Sequence, residues 1–150
     1  MNNFLFWQRW LLVLAIAFVA LGALMTLPFG ANLFDGLINP VFWENGAIPH
    51  DANAFKAFIY GVLGAAMVGW GILFAFIVYY PFRQKEMLAW NCLLAGFAIW
   101  FPFGLYVSIR GGVYANVVGD IIFFVLVLVP LFFTRKEFHP TIGGKNNETL

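Results

Sequence analysis

Four long apolar runs divide this chain, and most of its charged residues lie between them. The runs cover residues 10–28, 57–82, 87–109 and 111–134. A helix needs roughly 20 apolar residues to cross the hydrocarbon layer of a bilayer. The pattern therefore predicts four transmembrane helices, at about residues 6–27, 54–80, 86–109 and 113–134, and a flexible polar tail at about 139–150.

The composition supports this interpretation. Hydrophobic residues make up 63% of the 150 residues, and charged residues only 10%. A soluble domain carries about 25% charged residues. With a mean hydropathy of +0.86, the chain has too few charges to cover a water-facing surface. We therefore predict an all-α fold, a four-helix transmembrane bundle, in a single membrane domain over residues 1–138.

The basic residues predict the orientation of this bundle. Only Lys56 and Arg110 fall on one side of the membrane, and six fall on the other: Arg9, Arg83, Lys85, Arg135, Lys136 and Lys145. Cytoplasmic loops carry an excess of Lys and Arg. We therefore expect the protein to lie in the inner (plasma) membrane, with both termini in the cytoplasm. The connection 29–53 then lies outside, as a loop on the membrane surface with Trp43 at headgroup level.

Charge and cysteine content exclude several classes. The net charge is +1, and no basic patch is present that could neutralise phosphates, so a nucleic-acid partner is not expected. Cys92 is the only cysteine, which rules out an intramolecular disulfide and a CxxC motif. The spacing of acids and histidines predicts no metal site.

Asp120 is the only charged residue well inside an apolar run. A carboxylate in hydrocarbon costs about 2.5–3.5 kcal/mol on insertion scales, so such residues usually face a bundle interior and often have a function. Asn116 is four residues earlier and therefore shares its helix face. Arg110 precedes the Gly-Gly turn, from which its side chain can reach toward Asp120. Asp120 is thus either a structural carboxylate that orients helices or a ligand anchor and proton acceptor.

Two deep tryptophans indicate where an apolar ligand would bind. Trp70 is in the middle of the second span, and Trp100 opens the cluster Trp-Phe-Pro-Phe of the third. Together they can line a pocket for a planar apolar molecule such as a quinone or a lipid. Filling of the core and contact with lipid are the alternatives.

The second span also carries small residues four apart: Ala57, Gly61, Ala65 and Gly69. Membrane helices pack closely through such stripes. We expect this stripe, widened by Gly64 and Gly71, to pack within the bundle. A homodimer contact or a slot for a flat ligand is the alternative.

The strings AFIYGVLGA at 57–65, GWG at 69–71 and YPFR at 80–83 resemble small four-span bacterial membrane proteins. The overall pattern is similar to the broader DoxX-like group. This resemblance implies a four-helix membrane fold and a link to oxidoreductase or quinone-related roles, and it implies no particular functional residue.

Three functions agree with these features. The first is a non-enzymatic membrane protein, either an accessory subunit of a homo-oligomer or partner complex, or a binder of a hydrophobic molecule. The second is a redox or lipid-modifying component that acts on a quinone or lipid through Asp120. The third is a small oligomeric transporter or channel. No residue is assigned a catalytic role.

Overall fold

The computed structural model describes residues 3–43 and 48–138, and every regular element in them is helical. The elements are α1 (Asn3–Thr26), α2 (Pro28–Phe42), α3 (His50–Tyr79), α4 (Met87–Arg110), α5 (Tyr114–Thr134) and a 3-10 turn (Arg135–Phe138). Helices α1, α3, α4 and α5 are long and apolar enough to cross a membrane. The predicted all-α, four-helix transmembrane bundle is confirmed, and each observed span end lies within four residues of its prediction. The predicted tail at 139–150 lies outside the described residues.

The segment predicted as a loop at 29–53 is helical in two parts: residues up to Phe42 belong to α2, and α3 already begins at His50. Pro28 occupies the first turn, where its missing N–H costs no hydrogen bond. Apolar side chains then recur every fourth residue, which keeps them near one face over the length of this short helix. All four are exposed: Phe29, Leu33, Leu37 and Val41. Pairing the backbone in a helix removes the cost of unsatisfied polar groups at a membrane surface.

The four spans run alternately up and down. We call the two ends of the bundle the α2 end and the terminus end. The α2 end holds α2 and the tight α4–α5 turn, and the terminus end holds the start of α1 and the 3-10 turn. Gly112 in the turn has φ +71, a left-handed conformation that favours glycine. Helix α1 packs closely on α3 and also contacts α5, which packs on α4, whereas α3 and α4 touch only sparsely.

The hydrophobic core is concentrated at the terminus end. There Phe82 lies at the centre of an aromatic group, with ring centroids 5.8 Å from Phe4 and 4.7 Å from Phe138. Further fully buried side chains come from three helices: Leu11, Val78, Val127 and Leu131. This end therefore holds the spans together, and the α2 end is the more open one.

Two prolines, Pro130 within α5 and Pro81 just after α3, leave carbonyl groups that a neighbouring helix satisfies. Pro130 has no N–H to donate to the carbonyl of Leu126, one turn earlier. The indole Nε1 of Trp10 on α1 donates to that oxygen at 3.2 Å. Pro81 diverts the N–H of Phe82 to an earlier carbonyl, and the side-chain amide of Gln8 donates to Val78 instead, at 3.2 Å. These bonds link α1 to α5 and α3 in an environment without water.

Candidate functional site

Asp120 is buried between α4 and α5, near the α2 end. Its Oδ2 accepts a hydrogen bond from Nδ2 of Asn116 at 3.2 Å. The same Nδ2 donates to Oγ of Ser108 on α4 at 2.7 Å, and that hydroxyl donates to the carbonyl of Gly104 at 2.8 Å. A Cβ added to Gly104 would lie 3.2 Å from Oδ2 of Asp120, so the carboxyl group rests against the α4 backbone.

This network joins α4 to α5 with matched donors and acceptors. Both amide hydrogens of Asn116 and the hydroxyl hydrogen of Ser108 are used within it. The groups against Asp120 are the amide of Asn116 and the backbone of Gly104, with Ser108 one hydrogen bond further on. The geometry fits a structural hydrogen-bond network that connects two helices.

The structure separates the other predicted ligand residues. Arg110 is exposed, and among the described ion pairs none joins it to Asp120. The ring of Trp100 contacts Phe97 and Phe123, and it borders Gly104 beside the Asp120 network. Trp70 is 70% exposed, and the shallow apolar depression around it is lined by α3 alone: Ala66, Gly69, Trp70, Ile72 and Leu73. The depression around Trp70 therefore does not include Trp100.

Of the predicted small-residue stripe, Gly64 and Gly71 pack against α1, whereas Gly61 and Gly69 do not. A Cβ added to Gly61 or Gly69 would meet nothing within 4 Å, whereas one on Gly64 would lie 2.5 Å from the carbonyl oxygen of Gly22. Ala57 and Ala65 of the stripe are also exposed. The physical reason is helical phase. A four-residue repeat drifts about 40° per step around a helix. Gly69 is five residues after Gly64, and at about 100° per residue the two lie about 140° apart around the helix axis. The contact with α1 uses the seven-residue spacing of Gly64 and Gly71.

A second polar group lies between α2 and α3, and the sequence analysis missed it. Nζ of Lys56 is 2.6 Å from Oδ2 of Asp35, and both side chains are mostly buried. One turn further along each helix are Asn39 and Tyr60, each 7% exposed. The four residues are called the α2–α3 polar site below. The apolar side chains around Tyr60 are Met25, Phe34, Ile38 and Met67.

Three oxygen atoms of this site are buried without a hydrogen-bond partner among the described residues. They are Oδ1 of Asp35, Oδ1 of Asn39 and the hydroxyl of Tyr60. Buried polar atoms are nearly always paired, and leaving one unpaired costs about 1–3 kcal/mol. The α4–α5 network has no such atom. Unmatched acceptors therefore distinguish the α2–α3 polar site as the better candidate for binding.

A sequence signal for this site existed but was weak. Asp35 and Asn39 are four apart, as are Lys56 and Tyr60, so each pair shares a helix face once both segments are helical. In a loop at 29–53, Asp35 and Asn39 would share no face, so the first pair depends on α2 being a helix. Ser108 was also missed, although it and Asn116 lie four residues on either side of Gly112, at matching positions in the hairpin.

Comparison with known proteins adds no assignment. A scan against protein-family models and searches of curated proteins and of solved structures found no match to the chain. The resemblance to the DoxX-like group stays a prediction. Among the described residues, His, Cys, Asp and Glu side chains form no group of three that could hold a metal ion.

Proposed function

We propose that this protein is a non-enzymatic component of the inner (plasma) membrane that binds an amphipathic, lipid-like molecule. The observation that carries the proposal is the α2–α3 polar site, with its three buried and unpartnered oxygen atoms. A ligand that donates hydrogen bonds to them removes the cost of leaving them unpaired. The tail of the same ligand has apolar surface to cover next to the site.

The position of the site along α3 supports an amphipathic ligand. Helix α3 has 30 residues and is about 45 Å long, whereas the hydrocarbon layer is about 30 Å thick. Its first two turns, which include Lys56, therefore extend toward headgroup level, and Tyr60 follows one turn deeper. On the same helix Ile59 and Leu63 are 41% and 49% exposed and continue the surface into the apolar layer. A headgroup beside Lys56 and an acyl chain along Ile59 and Leu63 fit this arrangement.

A second candidate function is an accessory subunit, which the open stripe on α3 favours. Gly61 and Gly69 leave room for a close backbone approach that none of the described helices uses. Small residues at this spacing suit a transmembrane helix of a partner. We expect Gly69→Leu to block that association. Light scattering gives the mass of the complex formed by the purified wild type and by Gly69→Leu, and the variant should have the lower mass.

Native mass spectrometry of protein purified in mild detergent tests the proposed binding. We expect a stoichiometric lipid-sized adduct on the wild type and a lower occupancy on Tyr60→Phe, which removes only the buried hydroxyl. Tyr106→Phe is the matched control, because Tyr106 is 62% exposed on α4. A bare wild-type protein, or equal occupancy in all three proteins, would refute the proposal.

A further inference from the structure

The unpartnered atoms of the α2–α3 polar site differ from a general polar patch in their hydrogen-bonding type. A carboxylate oxygen and an amide oxygen can only accept, and a tyrosine hydroxyl can accept as well as donate. Three buried oxygens that can accept a hydrogen bond therefore lack a donor, at Asp35, Asn39 and Tyr60. A ligand group that pairs them must supply hydrogen-bond donors.

Charge narrows the choice of ligand. Asp35 and Lys56 form a neutral pair, with Nζ bonded to Oδ2 at 2.6 Å. The ammonium of Lys56 has three N–H donors, of which this bond uses one. An anionic ligand group can bind the remaining donors, while a cationic group binds Oδ1 of Asp35. A ligand with both charges keeps the site neutral, and burial of an unbalanced charge is costly.

We infer that the α2–α3 polar site recognises a zwitterionic headgroup with a primary ammonium and a phosphate, as in an ethanolamine phospholipid. The ammonium of such a headgroup supplies N–H donors, which are what the unpartnered oxygens of Asp35, Asn39 and Tyr60 lack. The phosphate lies next to Lys56. This inference rests on the proposed function, since it specifies the headgroup of the lipid-like ligand.

Methylation of the headgroup nitrogen gives a sharp test, because it removes donors and keeps the positive charge. Delipidated protein is titrated with lipids of identical acyl chains that carry ethanolamine, N-methylethanolamine, choline or glycerol headgroups. Occupancy is read by native mass spectrometry, and thermal stabilisation by circular dichroism. We expect affinity to fall along the methylation series, with choline at least about tenfold weaker than ethanolamine, because hydrogen bonds to charged groups are lost.

Variants connect this preference to the site. Tyr60→Phe and Asn39→Leu should each reduce the ratio of ethanolamine to choline affinity, and Tyr106→Phe should leave it unchanged. The ratio is a readout that a general loss of stability does not change. A melting temperature within a few degrees of the wild type shows that Tyr60→Phe is folded.

The other outcomes are separable. If ethanolamine and choline lipids bind with equal affinity and both depend on Tyr60, the headgroup assignment is overturned. The proposed function then stays intact. Equal or tighter binding of the glycerol headgroup overturns it as well, since hydroxyl donors on an anionic lipid would then be sufficient. The absence of binding for every lipid refutes the proposed function itself.

Discussion

Replacing Gly64 with alanine tests the closest helix contact in the bundle. Gly22 on α1 and Gly64 on α3 face each other with no side chain between their backbones. A Cβ added to Gly64 would lie 2.5 Å from the carbonyl oxygen of Gly22 and 3.0 Å from Cβ of Met25. A Cβ on Gly22 would lie 2.7 Å from the carbonyl oxygen of Gly64. The substitution therefore forces two backbones apart.

The expected magnitude follows from these distances. Carbon–oxygen contacts are ordinarily about 3.3 Å or longer, so the new methyl group lies about 0.8 Å too close. Overpacking of this kind costs about 1–3 kcal/mol, and neither neighbour is a flexible side-chain end that can move away. Alanine gains about 0.5–1 kcal/mol over glycine in a helix interior. The net expectation for Gly64→Ala is a loss of unfolding free energy of about 0–2.5 kcal/mol, so the comparison with control variants carries the test.

Gly61→Ala and Gly69→Ala are matched controls on the same helix. An added Cβ meets nothing within 4 Å at either position, so they share the propensity gain without the clash. Unfolding in mixed detergent micelles with increasing dodecyl sulfate, followed by far-UV circular dichroism, gives the three free energies. Gly64→Ala should fall below both controls by about 1–3 kcal/mol. If it is as stable as Gly69→Ala, the α1–α3 contact described here is wrong.

Three further predictions concern the α4–α5 network, the Trp10 bond and the membrane orientation. Asn116→Ala removes the bonds to Ser108 and Asp120 and should lower the unfolding free energy by about 1–2 kcal/mol. The isosteric Asp120→Asn should lower it by less. A larger loss for Asp120→Asn in the same micelle titration would contradict the structural role of the network. Trp10→Phe leaves the Leu126 carbonyl unpaired and should cost about 0.6–1.7 kcal/mol by thermal melting, and an unchanged melting temperature would count against that bond. A C-terminal tag should resist external protease in intact cells, and cleavage would reverse the predicted orientation.

The four spans could be predicted because their signal is local. A run of roughly 20 apolar residues is sufficient to form a spanning helix, since the backbone must pair within each segment in hydrocarbon. Asp120 and Asn116 could be placed on one helix face by spacing alone. The partner on α4, Ser108, required the register of the hairpin as well. Helix α2 was missed because its 15 residues are too short for a span and contain two prolines.

The sequence by itself determined the number, length and composition of the helices, because hydropathy and helical period act within one segment. Only the tertiary structure decided which face of α3 meets α1, since two sets of small residues compete and the contact selects Gly64 over Gly69. It also decided that Asp35, which reads as a solvated loop acid, pairs with Lys56 above a buried tyrosine. Such contacts depend on the relative rotation and height of separate helices, and no repeat within one segment contains that information.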